Sequence, residues 1–105
     1  MSFAQRPRAL RKPFVAAIVI TDMVSERPMS AHTSNLSVHG CFVPTPTALN
    51  PGVKVQITIV HAGTKIVASG RVVSAGTDGM GIAFTTIDEH DQAVLEKWMS
   101  DLRVN

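Results

Sequence analysis

Cysteine is almost absent. Cys41 is the only one in 105 residues, so no internal disulfide can form, and a reducing cytoplasm suits the chain. Tyrosine is missing, and one tryptophan and four phenylalanines supply the aromatic rings. With Phe42 and Phe84 expected in the core, few rings remain for stacking bases, which counts against a cold-shock or OB-type single-strand binder. The apolar run from Phe14 to Ile20 is too short to span a bilayer. It follows a basic stretch, as in a signal peptide, but no small-x-small cleavage site closes it before Asp22 and Glu26, so no signal peptide is expected. No 20–50-residue repeat and no low-complexity tract occurs.

Catalytic signatures are missing too. There is no Gly-x-Ser-x-Gly frame around Ser37, no Walker-type phosphate loop and no visible nucleophile–base pairing. Soft metal ligands are limited to His32, His39, His61, His90 and Cys41, with no Cys-x-x-Cys and no histidine pair at helical spacing. The chain is therefore expected to be neither an enzyme nor a metalloprotein.

What the sequence does hold is uneven charge. Four of its ten basic residues, Arg6, Arg8, Arg11 and Lys12, precede Pro13, and no acid appears before Asp22. From Pro13 onward six basic residues face eight acidic ones, so the body carries about −2 and the opening stretch +4. This asymmetry points to an anionic partner for the opening stretch rather than to a uniformly basic nucleic-acid surface.

By length this is one domain. Residues 1–13 read as a flexible basic arm, and residues 14–105 as the folded body. Strands are predicted over Phe14–Thr21, Met29–Leu36, Cys41–Val43, Val53–Ile59, Lys65–Ser74 and Met80–Thr85, with alternation clearest at Val53, Val55, Ile57 and Ile59. Pro44-Thr45-Pro46-Thr47 predicts a loop, and Asn50-Pro51-Gly52 a turn. His61-Ala62-Gly63-Thr64 and Gly76-Thr77-Asp78-Gly79 predict hairpins, and Gly70 a bulge. Asp88 is placed as the N-cap of a helix, with Glu89 and Asp91 in its first turn and Val94, Leu95, Trp98, Met99 and Leu102 on its apolar face. The fold class expected is all-β, a small six-stranded antiparallel β-barrel with one C-terminal α-helix.

Two segments carry candidate binding chemistry. Arginines on a short arm present planar forks suited to phosphate or guanine, although the same residues also make a solvated basic arm. Downstream, Asn35-Leu36-Ser37-Val38-His39-Gly40 places an amide and a hydroxyl two residues apart, on one face if the strand continues, with a glycine expected to turn at positive φ. A plain Asx/Ser turn would use the same residues. His39 reads as an exposed turn histidine.

Asn35-x-Ser37-x-x-Gly40 resembles the (Asp/Asn)-x-Ser-x-x-Gly motif of the PilZ domain family. The surroundings are similar to that family as well: a basic arm before the first strand, the apolar strand Cys41-Phe42-Val43 after the motif, and the late glycine-containing strand Gly79-Met80-Gly81-Ile82-Ala83-Phe84 followed by a helix. The resemblance implies a six-stranded PilZ-like barrel that binds the bacterial second messenger cyclic di-GMP, with no other cofactor. An Arg-x-x-x-Arg arm would clamp guanines and phosphates from one side and the motif would meet the other. Carried over residue by residue, the ligand-binding set is Arg8, Lys12, Asn35, Ser37 and Gly40, with Arg11 as a substitute and Arg6 as an outlier. The arm departs from the pattern because no two arginines are four apart; Arg8 and Lys12 have that spacing, and lysine lacks the bidentate fork. Two functions stay open on this basis. One is a cytoplasmic cyclic di-GMP receptor or adaptor signalling through an unidentified effector protein; the other is a PilZ-like domain that no longer binds the nucleotide and acts by protein contacts. Neither membrane nor nucleic acid is an expected partner, and oligomeric state is open.

Overall fold

The computed structural model describes residues 12–101. Its strands are β1 (Lys12–Pro13), β2 (Ala17–Asp22), β3 (Pro28–His32), β4 (Asn35–Leu36), β5 (Gly40–Pro44), β6 (Lys54–His61), β7 (Thr64–Gly76) and β8 (Gly79–Ile87), followed by helix α1 (Glu89–Asp101). All ladders are antiparallel, in the order β1-β4-β5-β8-β7-β6-β2-β3. Six of these strands have five or more residues and lie where the six were predicted, although β2 begins at Ala17 rather than Phe14 and Met29–Leu36 divides into β3 and β4; β1 and β4 have two residues each.

Strict alternation of side chains builds the core. Ile18 and Ile20 on β2 stand opposite Ile59 and Ile57 on β6, and these in turn opposite Ile66 and Ala68 on β7. All six are buried. Cys41, Val43, Met80 and Ile82 continue the apolar layer on β5 and β8. Outward residues on the same strands, such as Val19, Gln56 and Lys65, stay exposed.

Met29–Leu36 is not one strand. Met29 and Ala31 face the core from odd positions, whereas buried Leu36 lies at an even one. A period-2 strand cannot place both parities inward, so the chain breaks at Thr33-Ser34 and changes partners. β3 pairs with β2, while β4 pairs with β5 and β1. At the break, the Thr33 N–H donates to the Ala16 carbonyl at 2.9 Å and the Ser34 N–H to the Phe42 carbonyl at 2.9 Å. These bonds draw the two ends of the sheet together and curl it into a half-barrel.

The turns follow their residues. Ala62 (φ 52°) and Gly63 (φ 79°) form the two-residue loop between His61 and Thr64, with both central residues at positive φ as a type I′ hairpin requires. The register slips between Ser69 and Gly70, where the bulge was expected, and again between Val72 and Ser74. β7 runs on to Gly76 and β8 starts at Gly79 because the hairpin closes on the Gly76–Gly79 pair itself, and β8 continues to Ile87 by pairing with Ala68.

Helix α1 covers one side of the half-barrel through buried Leu95 and Trp98. Asp88 caps it by accepting from the Asp91 N–H at 2.9 Å. Asp91 does more than favour the helix dipole. The β7–β8 ladder starts at Ala68, and the Asp91 Oδ2 accepts the Val67 N–H at 2.9 Å just beyond it. The His90 ring, with Nδ1 at 3.0 Å from Asp91 Oδ1, and the Val67 amide hold the Asp91 carboxyl below its ordinary value of 3.8. A carboxylate with a lowered native pKa stabilises the fold above its unfolded pKa, and that contribution is lost as pH falls through the native pKa. We expect Asp91→Ala to cost about 1–3 kcal/mol by urea unfolding at pH 7. The difference from wild type should shrink below about pH 4 as the wild-type carboxyl protonates.

Candidate functional site

The last residue of the basic stretch meets the motif through a ladder. Lys12 stands opposite Leu36, and Pro13 opposite Asn35. The end of the basic stretch is thus fastened beside the motif, between Asn35 and Ser37. Arg6, Arg8 and Arg11 lie outside the described residues.

Thr33 makes this fastening firm, and nothing in the motif pattern points to it. It is 2 % exposed. Its hydroxyl donates to the Phe14 carbonyl at 2.6 Å and accepts from the Ala16 N–H at 3.0 Å. The Phe14 N–H donates to the Ser34 carbonyl at 3.1 Å. The Phe14 ring also packs at 4.5 Å from the His61 ring and 5.8 Å from Trp98 on α1, centroid to centroid. The chain leaving β1 is therefore pinned both to the start of the motif and to the helix. The one signal in the sequence was the parity change between Ala31 and Leu36, which marks the break that Thr33 occupies.

Within the motif each polar residue has a distinct state. Asn35 is half-buried, and its Oδ1 is shut off from solvent without a hydrogen-bond donor among the described residues. Such an acceptor costs stability unless a donor arrives. Its cross-strand neighbour Pro13 has no N–H to offer. Ser37 is buried and turned into its own loop: its Oγ accepts from the His39 N–H at 3.0 Å and lies 3.4 Å from the Gly40 carbonyl, to which its N–H donates at 2.8 Å. Ser37 thus shapes the turn, and its hydroxyl is engaged there.

Gly40 corrects an expectation. It is not among the glycines at positive φ, which are Gly52, Gly63 and Gly79. It opens β5 opposite Ala83, and a Cβ on it would collide with the Ile82 carbonyl oxygen. The residue is small because two backbones touch there, not because the chain needs a left-handed turn. Beside it, the Phe84 N–H donates to the His39 carbonyl at 2.8 Å, locking the motif turn onto β8.

Among the described residues, Asp88, His90 and Asp91 form the group of possible metal donors, within 4.8 Å of one another. Two of these carboxylate oxygens already serve the helix cap and Val67.

The model of the PilZ domain family matches residues 5–101. The chain belongs to the PilZ domain family. Its fold is similar to those of two solved structures. The PilZ domain of CeSA from a cellulose-synthesizing bacterium superposes with a TM-score of 0.71 at 19% identity, over 90% of this chain and 98% of that one. The Bacillus subtilis inhibitor of motility, MotI/DgrA, superposes with a TM-score of 0.80 at 18% identity, over 96% of this chain and 53% of that one. This chain thus spans about half the length of the latter. No curated protein matches the sequence. Among the described residues, no helix is long and apolar enough to cross a membrane.

In this PilZ domain the motif glycine and Thr33 are structural conditions for the site. Gly40→Ala should destabilise by about 1–3 kcal/mol or more, because backbone rather than a flexible side chain must move. Thr33→Val should cost about 1–3 kcal/mol by stripping the buried Ala16 N–H and Phe14 carbonyl of their partner. Urea unfolding followed by Trp98 fluorescence measures both.

Proposed function

We propose that this PilZ domain is a cyclic di-GMP receptor or adaptor that passes the signal to an effector protein in the cytoplasm. Its family is one of cyclic di-GMP receptors, whose members are binding or adaptor domains. The observation that carries the reading is the buried Asn35 Oδ1, without a hydrogen-bond partner among the described residues, placed one ladder step from the end of the basic stretch. An acceptor in that position suits either a guanine N–H or an arginine guanidinium held over the nucleotide. Arg8, Arg11 and Lys12 would supply cations to the phosphates and guanines, with Arg8 or Arg11 providing the planar fork that Lys12 lacks. Asn35 would face the ligand directly. Ser37 and Gly40 would act by fixing the turn and its approach to β8. A change at the arm on ligand binding would be what an effector detects.

The alternative, a PilZ domain acting by protein contacts without the nucleotide, draws on two observations: lysine at position 12 and a Ser37 hydroxyl engaged within its own turn.

Titration calorimetry with cyclic di-GMP separates the two. Binding at low micromolar ligand supports the receptor, and no heat at tens of micromolar favours the alternative. For a receptor, Arg8→Ala with Arg11→Ala should weaken binding roughly ten-fold or more, since charge-assisted hydrogen bonds are lost. Asn35→Ala should weaken binding while leaving stability equal or higher, because the uncompensated buried acceptor goes with it.

A further inference from the structure

A row of register partners runs outward from the motif across the sheet. Gly40 on β5 stands opposite Ala83 on β8, Ala83 opposite Arg71 on β7, and Arg71 opposite Lys54 on β6. At the usual spacing of strands, Arg71 lies roughly 10 Å from Gly40 and Lys54 roughly 14 Å. In this row only Ala83 stands between Gly40 and Arg71; half-buried Phe42 stands opposite Asn35, two residues along β5.

Arg71 and Lys54 are both exposed. Like charges placed directly opposite on neighbouring strands repel. Among the described residues neither has a salt bridge; the ion pairs are His90–Asp91 and Lys97–Asp101. Asp22, which ends β2 opposite Val55, directs its Oδ1 into the β2–β3 turn, accepting from the Val24 and Ser25 N–H groups at 2.8 and 3.2 Å. Glu26 in the same turn is exposed. The two cations border a cavity of about 450 Å³, whose lining includes Met23, Ser69, Gly70 and Thr85. The cavity sits at the first bulge of β7, where the register slips between Ser69 and Gly70. The slip re-aims the strand and lets Ser69, Arg71 and Thr85 border one hollow. Two uncompensated cations and two hydroxyls around a concavity match the donor set of a phosphate.

We infer that Lys54 and Arg71, with Ser69 and Thr85, form a second phosphodiester-binding subsite, continuous with the Asn35–Gly40 motif along the outer face of the sheet. The identity of its ligand as a phosphate of the bound cyclic dinucleotide rests on the reading above. The anion-binding chemistry itself rests on these residues alone. Such a subsite adds, from the body of the domain, the fixed fork that the arm lacks at Lys12.

The test uses the full chain and the Lys54→Gln/Arg71→Gln double variant, with Lys65→Gln as a control elsewhere on β7. Calorimetry with cyclic di-GMP should show affinity falling roughly ten-fold or more in the double variant and unchanged in the control, with a shallower dependence on salt. Its Tm should be unchanged or higher, since a like-charge pair is removed. In parallel, pyrophosphate is titrated into 15N-labelled protein. Amide shifts at Lys54, Ser69, Arg71 and Thr85, abolished in the double variant, support the subsite. Their absence in wild type overturns it, as does a double variant that binds cyclic di-GMP like wild type. If wild type fails to bind cyclic di-GMP, the receptor reading falls, and the pyrophosphate shifts alone decide whether the anion subsite exists.

Discussion

Two backbones can approach as closely as β5 and β8 do at Gly40 only where one of them lacks a side chain. A Cβ at that position would occupy the space of the Ile82 carbonyl oxygen, and the same contact fixes where the motif turn sits. From it follow the register Gly40–Ala83 and Cys41–Ile82 and the burial of Cys41 and Val43. The bond from the Phe84 N–H to the His39 carbonyl follows as well. Gly79, at the other end of the same ladder, is excluded from bearing a side chain by Pro44 Cα, 2.7 Å from where its Cβ would lie. The β5–β8 pair is thus pinched at both ends. Asn35, held on β4 against Phe42 of β5, inherits its position from that pinch.

The second constraint is the exchange of partners at Thr33-Ser34. It closes the half-barrel, and it also brings the chain following β1 against the motif. The same hydroxyl of Thr33 serves both ends of Phe14-Val15-Ala16, so this segment cannot detach from Thr33 without opening a buried pair of bonds. Phe14 carries this connection to Trp98 on α1. The motif, the root of the arm and the helix therefore form one packed unit rather than three appendages of a barrel.

The sequence was informative where local chemistry decides. Alternation over Val53–Ile59, the hairpin at His61-Ala62-Gly63-Thr64, the Gly70 bulge and the Asp88 cap all depend on near neighbours, and all appear where expected. It was less informative where the cause lies across the sheet. Gly40 looks like a turn glycine from its neighbours, because the Ile82 oxygen that explains it is forty-two residues away. Thr33 looks like one more polar residue until the partners of β3 and β4 are known. The parity conflict between Ala31 and Leu36 was present in the string, but choosing between a bulge, a break and a slip requires the pairing. Lys54 and Arg71 are seventeen residues apart and become neighbours only through the β6–β7 register.

That register also bears on the weakest part of the site as the sequence presents it. A lysine at position 12 keeps the charge of an arginine without its planar fork, so a nucleotide held by the arm and motif alone would be short of one bidentate contact. Arg71 and Lys54 stand on paired strands in the middle of the sheet, so little backbone freedom would be lost if they engaged an anion. Their mutual repulsion would be relieved by a phosphate between them. The balance of binding in this domain would then shift from the arm toward the sheet, and the spacing of arginines before Pro13 would matter less than the row from Gly40 to Lys54.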